Sequence, residues 1–189
     1  SPIYLDENII SQPAAALQLV AKEIFRMSDQ VRDILKKTIE LVKNEEVKSI
    51  DGLKENGEQV ERLGKCITEY LAALFSSGSL TEQQAAQTAS LMCVLSDVER
   101  MGTLSVEMAE CMLERSDRKY KYTPEAMDEL QKSLKVLNKM FCDSLKALQG
   151  DDGIDPGKMM KRKDKLLDLD IKMRKAHIER VNKGKCKAS

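Results

Sequence analysis

Carboxylates spaced along two stretches of this chain are the residues whose pattern could do chemistry. Glu99, Glu107, Glu110 and Glu114 recur with Ser96 and Thr103 at steps of three and four, so a helix would stack them in one line. Asp164 and Asp168 lie one helical turn apart, which would point both acids the same way. Such a line is either a solvated helix face or an edge where packed helices hold a cation. All-oxygen ligands of this kind favour magnesium, calcium, manganese or iron over zinc. Other chemistries are poorly served. The single histidine, His177, has no Ser, Cys or Asp spaced to work with it, and arginines stand three residues to either side. A phosphate-cradling glycine loop is missing. The residues therefore imply no enzyme, no catalytic residue and no small-molecule substrate.

The elements that must carry these acids read as helices. Pro13 opens the first, where Leu17, Val20, Ile24, Met27, Val31, Ile34, Thr38 and Leu41 keep alternating steps of three and four; the lead-in before it, Ser1 to Gln12, reads as short and extended. A second helix is expected from about Glu45 to Ser76, with Leu53, Gly57, Val60, Gly64, Ile67, Leu71 and Leu74 on one stripe. Two glycines on a buried stripe cost about 1 kcal/mol each against alanine, and imply a close backbone approach by a neighbouring helix. Thr81 and Gln84 form a capping box for a third helix reaching about Asp117. Its seam is Leu91, Leu95, Val98, Gly102, Ser105, Ala109 and Met112. The carboxylate line flanks that seam.

Thr123 and Pro124 start a fourth helix, with Met127, Leu130, Leu134, Leu137, Phe141, Ser144 and Leu148 in heptad spacing. A fifth runs from Pro156 to about Asn182. It breaks its own pattern: Met160, Asp164, Leu167, Ile171, Arg174, Ile178 and Val181 share one stripe, so an acid and a base occupy apolar positions. An acid in a seam needs a partner or a cation, or must stay wet.

Composition sets the frame. Aromatics are 4% and tryptophan is absent, which starves strands and leaves an all-α protein. Basic and acidic side chains number 31 each, and the basic stretch after Lys172 carries no interleaved aromatics, so nucleic acid is not an expected partner. The five cysteines have no ligand spacing and fit a reduced compartment. No apolar run approaches the roughly 18 to 20 residues needed to span a bilayer.

Asp97-Val98-Glu99-Arg100-Met101-Gly102 resembles the Asp-x-Glu-Arg-Ile-Gly-Asp signature of the PhoU family, which is built from two three-helix repeats. Tyr4-Leu5-Asp6-Glu7, Pro13, Ala14 to Leu17 and Lys22-Glu23-Ile24-Phe25-Arg26-Met27 are similar to the segment that follows the membrane region in bacterial sodium/phosphate cotransporters with a cytoplasmic PhoU-like domain. His177-Ile178-Glu179-Arg180-Val181, with Gly184 and Cys186, fits the fifth helix of that domain. The resemblance implies an antiparallel bundle of five long helices. The first repeat would be complete over about 13–118, and the second, over about 123–184, would lack its sixth helix.

It also implies metal on the acidic helix faces, a divalent ion or iron, in motifs of the form Glu/Asp-xxx-Asp. Asp164 and Asp168 keep both acids of the second repeat. Gly57 and Glu61 are the first-repeat counterpart, with one acid lost. Glu99 is kept, while Thr103 stands at its partner position and Glu107 where Asn is common. The implied protein is a regulatory or structural domain on the cytoplasmic side of the membrane. Its first partner would be the membrane domain of the same polypeptide, which carries sodium-coupled phosphate transport. The alternative is a stand-alone regulator of phosphate uptake. An uncovered face on helices four and five implies a homodimer through that face.

Overall fold

The computed structural model describes residues 1–44, 47–118, 122–148 and 156–183, without the side chains of 144, 147, 148, 156–163, 166, 169, 170, 177 and 180. Five long helices follow a short 3-10 turn at Glu7–Ile9: α1 (Pro13–Lys43), α2 (Asp51–Ser76), α3 (Glu82–Asp117), α4 (Pro124–Leu148) and α5 (Pro156–Asn182). Among the described residues there is no strand, as the aromatic-poor composition requires. No helix among them is long and apolar enough to cross a membrane. Contacts divide the chain into two compact units, Ser1–Thr38 with Val47–Glu114, and Ile39–Glu46 with Arg115–Ser189.

In the first unit the seams of α1, α2 and α3 close on one another. From Leu17 to Thr38 every seam position of α1 is buried, and Val20, Met27, Val31, Ile34 and Thr38 are fully so. Burying aliphatic side chains of this size contributes about 1.5 to 3 kcal/mol each before chain entropy is set against it. The three helices meet where α3 has no side chain. A Cβ at Gly102 would sit 3.3 Å from Val31 of α1 and 3.4 Å from Val60 of α2. The Thr38 hydroxyl, buried in the same seam, donates to the Ser105 carbonyl of α3 at 3.0 Å, so the polar member of the α1 stripe is satisfied.

The ends of these helices follow local rules. Thr81 N–H donates to Gln84 Oε1 at 3.0 Å and Gln84 N–H to Thr81 Oγ1 at 3.2 Å, a reciprocal capping box. The second helix starts later than its periodicity suggested. Residues 45 and 46 lie outside the described residues, and 47–50 are not helical. Val47 and Ile50 are buried from a non-helical stretch, and the Ser49 hydroxyl accepts from the Asp51 N–H at 3.1 Å. That side chain supplies the missing acceptor at the helix start.

The lead-in is not extended throughout either. Asp6 Oδ1 accepts from Asn8 N–H at 2.9 Å and caps the 3-10 turn. The Tyr70 hydroxyl of α2 donates to the Asp6 carbonyl at 2.8 Å. Glu23 of α1, fully buried, accepts from the N–H groups of Ile3 and Tyr4 at 2.9 and 2.7 Å. The guanidinium of Arg26 bonds the same carboxylate. A buried carboxylate with three donors meets the condition under which burying charge is tolerable.

In the second unit α4 packs on α5. Thr123 Oγ1 accepts from Ala126 N–H at 3.2 Å and starts α4. Leu134, Phe141 and Leu145 are buried, and the Ser133 hydroxyl reaches the Met173 sulfur of α5 at 3.2 Å. Arg115, buried, donates to the Asn44 carbonyl and lies 5.4 Å from the centre of the Tyr122 ring, a cation–π arrangement. The stripe assigned to α5 points outward. Leu167, Ile171 and Ile178 are 60%, 44% and 58% exposed, and Asp164 and Arg174 are exposed with them.

Candidate functional site

An open groove runs between α2 and α3, lined by Lys54, Gly57, Glu61, Glu99, Thr103 and Val106 among others. The two helices are antiparallel along it. Lys54 Nζ meets Glu110 Oε1 at 2.9 Å at one end, Gly57 faces Val106, and Gly64 faces Glu99. Gly57 lines this groove and Gly64 lies behind Glu99, which also lines it, and side chains rather than backbone fill the space the two glycines leave. A Cβ at Gly57 would lie 2.9 Å from Val106 Cγ2, and one at Gly64 would run into the Glu99 carboxylate. Gly64 is the seat of an acid.

That acid is partly desolvated and stands near a second one. Burial raises the Glu99 carboxyl above its ordinary value of 4.5, and the nearby Glu61 carboxylate raises it further. Among the described residues none donates a hydrogen bond to it. A half-buried carboxylate with a second acid beside it and no donor gains by taking up a proton or a cation, or by swinging out to water. Glu110, by contrast, is paired, and its carboxylate raises the Lys54 ammonium above 10.5.

The site residues expected from the sequence fall in two places. Glu61 and Glu99 line one groove together with Thr103 and Glu107. Asp164 and Asp168 stand on α5, both exposed, and Asp168 bonds Lys172 one turn on at 2.7 Å. The acids of α5 thus stay wet and one is locally neutralised. Among the described residues no group of three or more His, Cys, Asp or Glu side chains converges as a metal centre would need. The groove's glutamates, Glu58, Glu61, Glu99, Glu107 and Glu110, are spread along its length, and among the described residues no three of them converge. The side chain of His177 lies outside the described residues. The cysteines at 66, 93, 111 and 142 are free.

Glu23 was missed by sequence reasoning. The signal was present: Ala16, Val20, Glu23 and Met27 keep steps of four, three and four, and the apolar members of that line are buried. An acid on a buried line next to an arginine one turn on announces an internal pairing.

Residues 24–112 match the family model of the PhoU domain. The match begins within α1, takes in α2 and ends near the end of α3, so the groove lies wholly inside it. The chain thus carries a PhoU-like domain. Comparison with curated proteins and with solved structures yields no match.

Proposed function

We propose that this chain is the regulatory domain of a sodium-dependent phosphate cotransporter, acting on the cytoplasmic side of the membrane and not as an enzyme. Transport itself belongs to a membrane region of the same polypeptide. The PhoU-like domain at residues 24–112 supports a phosphate-related regulatory role. The link to a cotransporter is supported by the resemblance of Tyr4 to Met27 to the segment that follows the membrane region in that family. The observation that carries the regulatory reading is Glu99, half-buried against Gly64 and near Glu61 in the α2–α3 groove. Its occupancy by a proton or cation changes how α2 and α3 sit on each other, and that is the two-state element through which the domain biases the attached transporter.

The test is made in the full-length polypeptide. Deleting the domain, and separately substituting Glu99→Gln, is expected to alter sodium-dependent phosphate uptake into vesicles or its response to external phosphate. Uptake unchanged by either alteration would remove the regulatory reading. A coding sequence without repeated apolar spans of about 20 residues ahead of Ser1 would overturn the cotransporter link and favour a stand-alone regulator.

A further inference from the structure

The lead-in ahead of α1 is held in a way unlike the helices of the first unit. No residue from 1 to 12 is buried, and Ile3 and Tyr4 are 68% and 39% exposed. Little apolar burial therefore holds it. Its attachments run from its own backbone to side chains of two helices. On α1, the Glu23 carboxylate accepts from the Ile3 and Tyr4 N–H groups, and Arg26 donates to the Ser1 carbonyl at 3.1 Å. On α2, the Tyr70 hydroxyl donates to the Asp6 carbonyl. A segment fixed by a few polar bonds and no core belongs to the part of a protein that opens most readily. Its departure is nevertheless felt inside, because it strips the fully buried Glu23 of two of its donors. The lead-in is thus either docked or free.

The two anchors sit on different helices, so both engage only while α1 and α2 keep their present setting. A hydrogen bond does not survive a displacement of about 1 Å. The second helix also carries the seat of Glu99. Gly64 lies six residues before Tyr70, about 9 Å along the same helix, and the Glu99 carboxylate occupies the space where a Cβ would stand. Any change that reseats Glu99 against α2 is delivered to Tyr70 by an unbroken helix. We propose that residues 1–12 form a releasable strap, docked while Glu99 rests on Gly64 and freed when that carboxylate leaves. Tyr70 and Glu23 are its positioning residues. On the reading of the α2–α3 groove as the regulatory element, on which this depends, the strap carries the groove's state to the attached transporter. The strap, and not a helix, is then the moving part.

Amide hydrogen exchange of the full 189-residue chain, read residue by residue, tests this. Gly64→Ala puts a methyl group where the Glu99 carboxylate sits and sends that flexible side chain out to water. It should raise exchange at Ile3 and Tyr4 about fivefold to tenfold, while amides in the α1 seam such as Val31 stay within about twofold. Tyr70→Phe removes one hydroxyl and should raise exchange at the same two amides by as much, although Tyr70 bonds Asp6 and not those residues. Together the two changes should raise it no further than the larger one alone, since both release the same clasp. Strap amides indifferent to either single change overturn the proposal, and so do effects that multiply in the double variant. If Gly64→Ala loosens the seam amides as well, Glu99→Ala, which empties the seat without adding a group, is read by the same criterion. The regulatory reading is decided separately, by phosphate uptake in the full-length polypeptide carrying Glu99→Gln. Uptake that responds to Glu99→Gln while the strap amides ignore Gly64→Ala sinks the strap alone.

Discussion

The apolar stripes of α1 and α5 have the same spacing and opposite fates. On α1, Leu17 through Thr38 are buried without exception among the seam positions, and the polar member at Thr38 is bonded across to Ser105. On α5, the stripe of equal regularity faces water, and its polar members are an acid and a base. The difference teaches that heptad spacing reports a surface to be covered and not what covers it. Inside the first unit two neighbouring helices supply the cover. For α5, α4 takes a different face, and the stripe remains outside.

The largest test of this contrast is a matched pair of truncations. Met27→Ala removes a fully buried side chain from the α1 seam and should cost about 2 to 5 kcal/mol in urea unfolding. Leu167→Ala, measured at a concentration low enough to keep copies apart, should stay within about 0.5 kcal/mol of the unaltered chain. Equal costs would erase the distinction between the two stripes.

Next in size is the internal carboxylate of α1. Glu23→Ala leaves Arg26 and the N–H groups of Ile3 and Tyr4 without their acceptor and should cost about 3 kcal/mol. Hydrogen exchange should show the Ile3 and Tyr4 amides opening far more readily than those of α1 itself. A variant whose lead-in stays protected would mean that Tyr70, through Asp6, is the main anchor.

The smallest effect is the most diagnostic of the groove. Because the Glu99 carboxyl is raised in the folded chain, folding takes up a proton in the interval above its ordinary value. Stability is therefore lost as pH climbs through that interval, and the ionised acid remains a cost at neutral pH. Glu99→Gln should stabilise the chain slightly at pH 7, and the gain should fade as pH drops below 4.5. A gain that is flat with pH would mean that Glu99 is not strained by its charge.

Much of this architecture was legible before any coordinates. The starts at Pro13, Thr81 and Thr123, and the buried lines from Leu17, Leu53 and Leu95, rest on spacing and capping chemistry that act within a few residues. What escaped reading depends on partners distant in the chain. The start of α2 yields to Ser49 and to the burial of Val47 and Ile50, which periodicity does not see. Gly64 looked like a gap for another backbone, and only the fold shows that an acid from α3 occupies it. Glu61 and Glu99 share a groove because α2 and α3 run antiparallel, while Asp164 and Asp168 are left on an outer face by the way α5 packs on α4. Local sequence carries spacing; which face meets which is decided by the rest of the molecule.

The tie between Glu23 and the first residues has a mechanical meaning. Ile3 and Tyr4 are fastened not to a helix end but about three turns into α1, through the internal carboxylate of Glu23. A pull on the leading residues would therefore load the side chains of α1 and α2 directly, through Glu23 and Tyr70, rather than a slack tether.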